Sequence, residues 1–374
     1  MKRQPMKILS TALILCAFGS AHADTWYRGN THTHTVICGH ADSTPEFVTA
    51  WYHDHGYNFL ILSEHNHFID PKKVKMPENL RKDFILIPGV EVTGKRIIHT
   101  TAMNVKKVVP WKFGSDKKSE IVQNHVDGVR DAGGHAVVNH PNFKGSLTAE
   151  DIATVKDVYM FELFNGHPHV HNEGHQHSET TEQLWDNLLT KGMLMYGVSS
   201  DDAHHFQTIA PAKSNPGRGW VMVNSPSLEA DAITDAMVHG RFYASNGVFL
   251  KACDRGKKTY SVEVDQQRTE KELGVLTKLR GKIVAEGKPG YHIEFIGPEG
   301  KVLQTSHGMK ASHTIDSSLS YVRAKVTYTQ KYSDGKHFEE YYAWGQPVFN
   351  DARASVDPNK RIHASVKAEP VQGE

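Results

Sequence analysis

The sequence is poor in cysteine, in long apolar runs and in charge of one sign. Its 374 residues hold three cysteines, and one of them, Cys16, falls in the amino-terminal leader described below. The remaining pair, Cys38 and Cys253, is too few for a disulfide-stapled scaffold; the two could pair in an oxidising compartment, but the sequence does not show that they meet. Ile8 to Phe18 is a largely apolar run of 11 residues, too short to cross a bilayer. No second run approaches it, so no membrane partner is expected. Lys and Arg total 43 against 42 Asp and Glu, which argues against a nucleic-acid binder with its basic face or stripe.

The short apolar run has its own meaning. Lys2, Arg3 and Lys7 precede it and Ala21-His22-Ala23 follows it, the pattern of a secretory signal peptide cleaved after Ala23. Leu15, before Cys16, stands where a lipid-attachment site wants a small residue. Cleavage removes three basic and no acidic residues, leaving 40 against 42 and a formal charge of −2 on 351 residues. The expected location is periplasmic or secreted.

Along 24–250 the chain alternates short apolar runs with helical patterns. The runs are "YNFLIL" (57–62), "FILIPGVEV" (84–92), "HAVVNH" (135–140), "VYMFELF" (158–164), "MLMYGVSS" (193–200) and "WVMVN" (220–224). Thr44-Pro45-Glu46 opens a helix as an N-cap, a proline and a first-turn acid. Further helical patterns cover 118–132, 148–156, 179–191 and 226–239. Such βα repeats imply a parallel sheet clothed in helices, here a distorted barrel. From 251 to 350 apolar and polar residues alternate between turn signals, which predicts a small antiparallel β-sandwich-like domain. Residues 351–374 are polar and read as a loose tail.

In a β/α architecture functional groups sit at the carboxyl ends of strands. Those ends carry, in order, His32, His34 and His40; Glu64, His65 and His67; Glu91; His99; His140; and Asp201, Asp202, His204 and His205. Each alone reads as a hydrogen-bonded loop residue. Their convergence at six places points to a metal centre, since imidazole and carboxylate suit zinc, iron or manganese.

The segments "NTHTHT…CGH", "LILSEHN", "PGVEVT…H", "VVNHP" and "SSDDAH" resemble, in order and spacing, the motifs of the polymerase and histidinol phosphatase (PHP) superfamily. "QLWDNLLTKG" and "GRFYASNG" resemble its exported branch of carbaryl-type metallohydrolases. The resemblance implies a distorted (β/α)7 barrel and a trinuclear site. It implies one divalent ion on His32, His34, Glu91 and Asp202, a second sharing Glu91 with His99 and His140, and a third on His40, His65 and His204. It also implies that Asp202 shuttles a proton beside the bridging Glu91. Where the family has Asp before the second-motif histidine, this chain has Glu64, expected to accept a hydrogen bond from a ligand imidazole.

The chemistry that follows is metal-assisted hydrolysis of a small molecule, with a hydroxide held between two ions. Phosphate mono- or diesters are the leading substrates, and amides, esters or carbamates the alternative. A non-enzymatic metal binder is the remote third, with "NGHPHVHNEGHQH" (165–177) as collector; otherwise that segment is a solvated loop or a lid. Arg218, His205 and His171 are candidate substrate contacts. Arg241 reads rather as packing between domains, and Lys95 and Arg96 as a hairpin tip. Cys38-x-His40 is too short a signal to assign a ligand. The sequence leaves the oligomeric state open.

Overall fold

The structure, a computed structural model, describes residues 25–111, 114–175, 178–276 and 281–350. The expected leader, His177 and the expected tail lie outside them. The fold is mixed α/β, with three sheets and few helices.

Strand β1 (Thr25–Asn30) leads through the histidine segment to α1 (Pro45–Asp54), capped by the Thr44 side chain on Phe47 N. Buried Val48, Thr49 and Tyr52 form its inner face. Strands β2 (Phe59–Leu60) and β3 (Ile85–Leu86) add in parallel to β1. The run 84–92 is two strands rather than one. Pro88, with no N–H to give a ladder, separates β3 from β4 (Gly89–Thr93), which begins a different sheet. An exposed turn at Lys95 and Arg96 joins β4 to β5 (His99–Met103).

Helix α2 (Lys118–Asp131) leads to β6 (His135–Val138), α3 (Ala149–Ala153) to β7 (Met160–Asn165), and α4 (Thr181–Thr190) to β8 (Tyr196–Ser200). Thr148–Asp151 and Thr180–Gln183 are capping boxes at the starts of α3 and α4. Gly133 and Gly192 end α2 and α4 at φ 75° and 83°, a conformation that costs glycine little. Strands β4 to β8 form one five-stranded sheet in sequence order.

A closed (β/α)7 barrel is not what the hydrogen bonding shows. Strand β9 (Trp220–Ser225) runs antiparallel to β1 in the first sheet and forms no ladder with β8. The edge of β8 is satisfied differently: the Gln346 side chain accepts from Gly197 N at 2.9 Å and donates to Gly197 O at 2.8 Å. The two sheets meet instead through single bridges, Thr33–Ala203 and His65–Glu91. Both bridges lie among the residues that carry the histidines, so the strand extensions that close the structure also build the site.

After α5 (Ala230–Val238) and β10 (Phe242–Ser245) the chain enters antiparallel structure: β11 (Leu250–Arg255), β12 (Thr259–Val264), β13 (Lys282–Val284), β14 (Gly290–Ile296), β15 (Val302–His307), β16 (Lys310–Thr314), β17 (Tyr321–Lys331) and β18 (Phe338–Phe349). Helix α6 (Gln266–Leu276), absent from the sequence expectation, interrupts them. Strands β11, β12 and β16 form a small sheet. Its Tyr260, Val262 and Ala311 share a core with Ile293, Phe295, Val322 and Ala324 of β14 and β17. Strand β18 pairs with β10, so the carboxyl-terminal strands continue the sheet that contains β1. Arg323 of β17 is buried and grips Asp186 of α4 with two 2.7 Å bonds.

Candidate metal centre

Glu91 lies at the middle of the site, fully buried on β4. Its Oε1 is 3.1 Å from His99 Nδ1, 3.2 Å from His32 Nε2 and 3.3 Å from His140 Nε2. Its Oε2 is 2.6 Å from His65 Nδ1. Four different strand ends thus aim imidazoles at one carboxylate. Asn139 Nδ2 adds a 2.8 Å bond to Oε1 and fixes the carboxylate's rotation.

Asp202 occupies the other side. Its Oδ1 is 3.3 Å from both His32 Nε2 and His34 Nε2. Beyond it the rings of His34 and His204 stack at 4.2 Å, His34 and His65 at 4.6 Å, and His40 lies 4.7 Å from His204 and 5.3 Å from His65. All nine residues expected as ligands therefore fall in one contiguous cluster. Within it, ligand atoms come within 4.8 Å of one another in several triplets: His32, His34 and Glu91; His32, His140 and Asp202; His34, His65 and His204; and Cys38, His40 and His204.

The donors fit divalent ions. His32 Nε2, His34 Nε2, Glu91 Oε2 and His204 Nε2 are buried with no hydrogen bond in good geometry. Each such atom costs about 1–3 kcal/mol when left unsatisfied, and four of them facing one another are explained by cations between them. Charge tells the same story. Burial opposes ionisation of His32, but Asp202, Glu162 and Glu91 outweigh it and hold its pKa well above the usual value. His34 is likewise raised against its burial, mainly by Asp202. Burial also opposes charge on Glu91 and Asp202, yet His99 and His32 for the first and His32 and His34 for the second hold both well below the carboxylate range. His204 goes the other way, pulled down to about 2 by burial and by His34. Protons on His32 and His34 are thus stand-ins for the positive charge the carboxylates demand.

Two backbone features hold these groups. Asp202 and His140 have positive φ, 49° and 22°, conformations that cost non-glycine residues of order 1–3 kcal/mol and cluster at functional sites. Asp202 N donates to His32 O at 2.9 Å and His34 N to Ala203 O at 2.9 Å, locking the first and last motifs together.

A residue outside the sequence expectation proves central. Glu162 of β7 is buried and receives His32 Nδ1 and His140 N, each at 2.7 Å, together with Ser200 Oγ and Asn165 Nδ2. It accepts the Nδ1 proton of His32 in a hydrogen bond, which leaves Nε2, between Glu91 and Asp202, as the atom that would bind an ion. Glu64 does not play its expected part. Its Oε2 is 3.8 Å from His34 Nδ1, too long for a hydrogen bond, because the longer side chain carries Oε1 to Thr35 N at 2.7 Å. Asp201 is a loop anchor: it accepts from Gly217, Arg218 and Gly219 N and from the Tyr52 hydroxyl.

The proposed substrate contacts are dispersed. The Arg218 guanidinium is buried and donates to Gly166 O, Ala210 O and Asn215 Oδ1, so it ties two loops beside the site. Arg241 pairs with Asp235 of α5 at 2.6 Å. His205 bonds Ser214 at 3.0 Å, its ring only partly covered. His171 is exposed and stacks on His175 at 4.6 Å. From the same segment it is His167 that reaches the cluster, with its ring 5.9 Å from that of His204. Burial draws its pKa down to about 4.

No protein-family model and no curated protein matches the sequence. Among solved structures, the chain is similar to a two-domain protein of Bacteroides vulgatus described as containing a predicted PHP-like metal-dependent phosphoesterase. The match covers 87% of this chain and 95% of that one, at 14% identity and a TM-score of 0.44. A likeness that slight carries no argument, and the site stands on its own geometry.

Proposed function

We propose that the protein is a metal-dependent hydrolase whose leading substrates are phosphate mono- or diesters, working with up to three divalent ions. The observation that carries this reading is Glu91, a buried carboxylate met by His32, His65, His99 and His140 within 3.3 Å. The motif resemblance to the PHP superfamily supports the phosphoester class.

His32, His34, Glu91 and Asp202 would hold one ion, Glu91 with His99 and His140 a second, and His40, His65 and His204 a third. When bound, the ions supply a water of lowered pKa and positive charge opposite an anionic group. The protein's own part is orientation and proton handling. Glu162 and Asn139 fix His32 and Glu91. Asp202, whose Oδ2 faces Asn165 Nδ2 at 3.3 Å, takes the proton of the attacking water at its carboxylate. Export rests on the sequence of residues 1–23.

A second reading, hydrolysis of amides, esters or carbamates at the same ligands, is favoured by one observation. Arg218 spends its guanidinium on backbone and amide oxygens and offers no fork to a phosphate. The test is the mature protein loaded in turn with manganese, zinc and iron, assayed on phosphate esters and on aryl carbamates and esters. Phosphate release, abolished in Glu91→Ala and His140→Ala, is the expected result. Cleavage confined to uncharged substrates establishes the second reading, and inertness with all ions bound refutes both.

A further inference from the structure

Cys38 was left without a role by the sequence, and the structure places it at the edge of the centre. Its ligand atom lies within 4.8 Å of those of His40 and His204, and a second triplet joins it to His34 and Glu64. A tetrahedral ion with bonds of ~2.0–2.3 Å sets its donors roughly 3.4–3.8 Å apart, so the first triplet closes on an ion with a shift of about an ångström.

The two imidazoles are prepared for such an ion. His40 Nδ1 is 3.1 Å from the carbonyl of Cys38 itself, and His204 Nδ1 is 2.9 Å from that of Asp202. A carbonyl only accepts, so in both rings the proton is on Nδ1 and the Nε2 lone pair is free to bind. His204 Nε2 is buried with no hydrogen-bond partner. In the second triplet His34 and Glu64 are fully buried, and Glu64 Oε2 also lacks a partner. The thiol is not serving as core filler. Cys253 packs against an apolar cluster, whereas Cys38 belongs to none among the described residues and follows the exposed Val36 and Ile37. The one-turn helix Val36–Cys38, with its Thr35 cap and left-handed Gly39, fixes its place.

We propose that Cys38 is a thiolate donor to the ion held by His40 and His204. The S–H bond breaks, the sulfur–metal bond forms and the proton leaves to solvent. The step needs no oxidant. A sulfur donor makes this position softer than the one around Glu91, which biases it toward zinc or ferrous iron over manganese. The inference rests on the metal-centre reading above.

The test is cobalt loading of the metal-free mature protein, read by near-ultraviolet absorption, metal content and the reactivity of its thiols toward a disulfide reagent. The expected result is a thiolate-to-cobalt charge-transfer band that Cys38→Ser abolishes and Cys253→Ser keeps, with Cys38 protected from the reagent when cobalt is bound. Cys38→Ser should still fold and hold the ions at Glu91, but release the remaining ion at least ~10-fold more readily, the loss typical of even an outer partner. Cys38→His should recover that affinity without the band. A full cobalt complement with no band, a band that follows Cys253, or equal thiol reactivity with and without metal overturns the proposal and leaves the hydrolase reading intact. A chain that takes up no cobalt overturns both.

Discussion

Glu162→Gln is the sharpest probe of how the centre is held. The carboxylate faces only donors: His32 Nδ1 and Ser200 Oγ on Oε1, His140 N and Asn165 Nδ2 on Oε2. An amide of nearly the same shape keeps one oxygen and turns an NH2 toward the other pair. If the NH2 meets His32, Nδ1 must accept and the ring proton moves to Nε2. That atom lies 3.2 Å from Glu91 and 3.3 Å from Asp202, so the lone pair that would bind metal is lost. If the NH2 faces Oε2's partners, it opposes the fixed N–H of His140. Loss of such an outer partner costs 10–100-fold in metal affinity, ~1.4–2.7 kcal/mol. Competition against a chromophoric chelator measures it, with circular dichroism to confirm the fold. A folded variant whose affinity falls less than about twofold, against that 10–100-fold expectation, refutes the assignment of Glu162 as the group that sets His32.

Other consequences are measurable. Asp186→Ala leaves the buried Arg323 without its two-bonded partner and should cost about 3–5 kcal/mol in chemical denaturation; Asp186→Asn should recover part of it. Gln346→Ala strands the buried N–H and C=O of Gly197, at about 1–3 kcal/mol each, unless water enters. For the metal-free protein the pH dependence has two limbs. Stability from His32, His34 and His140, whose folded pKa values are raised, is complete below the ordinary value of 6.5 and is lost as pH rises through the folded values. Stability from Glu91 and Asp202, whose values are lowered, is present above the ordinary values of 4.5 and 3.8 and is lost as pH falls through the folded ones. His167 and His204, whose values are lowered to about 4 and about 2, act the other way and remove stability as pH falls below 6.5, so melting with chelator should peak in a narrow window near pH 6.5. The extra stability on adding metal should grow above that window, because the ions displace those imidazole protons. A flat difference across pH 5–8 would sink this.

What was legible in the sequence follows from range. Most of the nine clustered residues could be listed because they follow apolar runs, and strand ends are a local signal; Glu91 stands inside β4 and His99 opens β5, and these two were reached through the order of the motifs. The capped starts of α1, α3 and α4 are local too. What failed depends on distant partners. Nothing near Pro88 says that the residues on its two sides join different sheets. The pairing of β10 with β18 links Ser245 to Ala343, and the Gln346 clasp on Gly197 replaces a ladder with a side chain; neither leaves a periodic trace. Glu162 did leave one. It stands inside "MFELF", an apolar run that the fold was expected to bury, and a buried carboxylate must meet cations or several donors. The same logic reaches Cys38 from the opposite direction, since a thiol that packs in no apolar cluster among the described residues and stands beside histidines is placed to bind an ion rather than to fill a core. In this protein the informative residues were those whose type conflicts with their surroundings. Each conflict resolves on the same cluster: Glu162 by orienting His32, Asp202 and His140 by holding a strained backbone, and Cys38 by closing the outer edge.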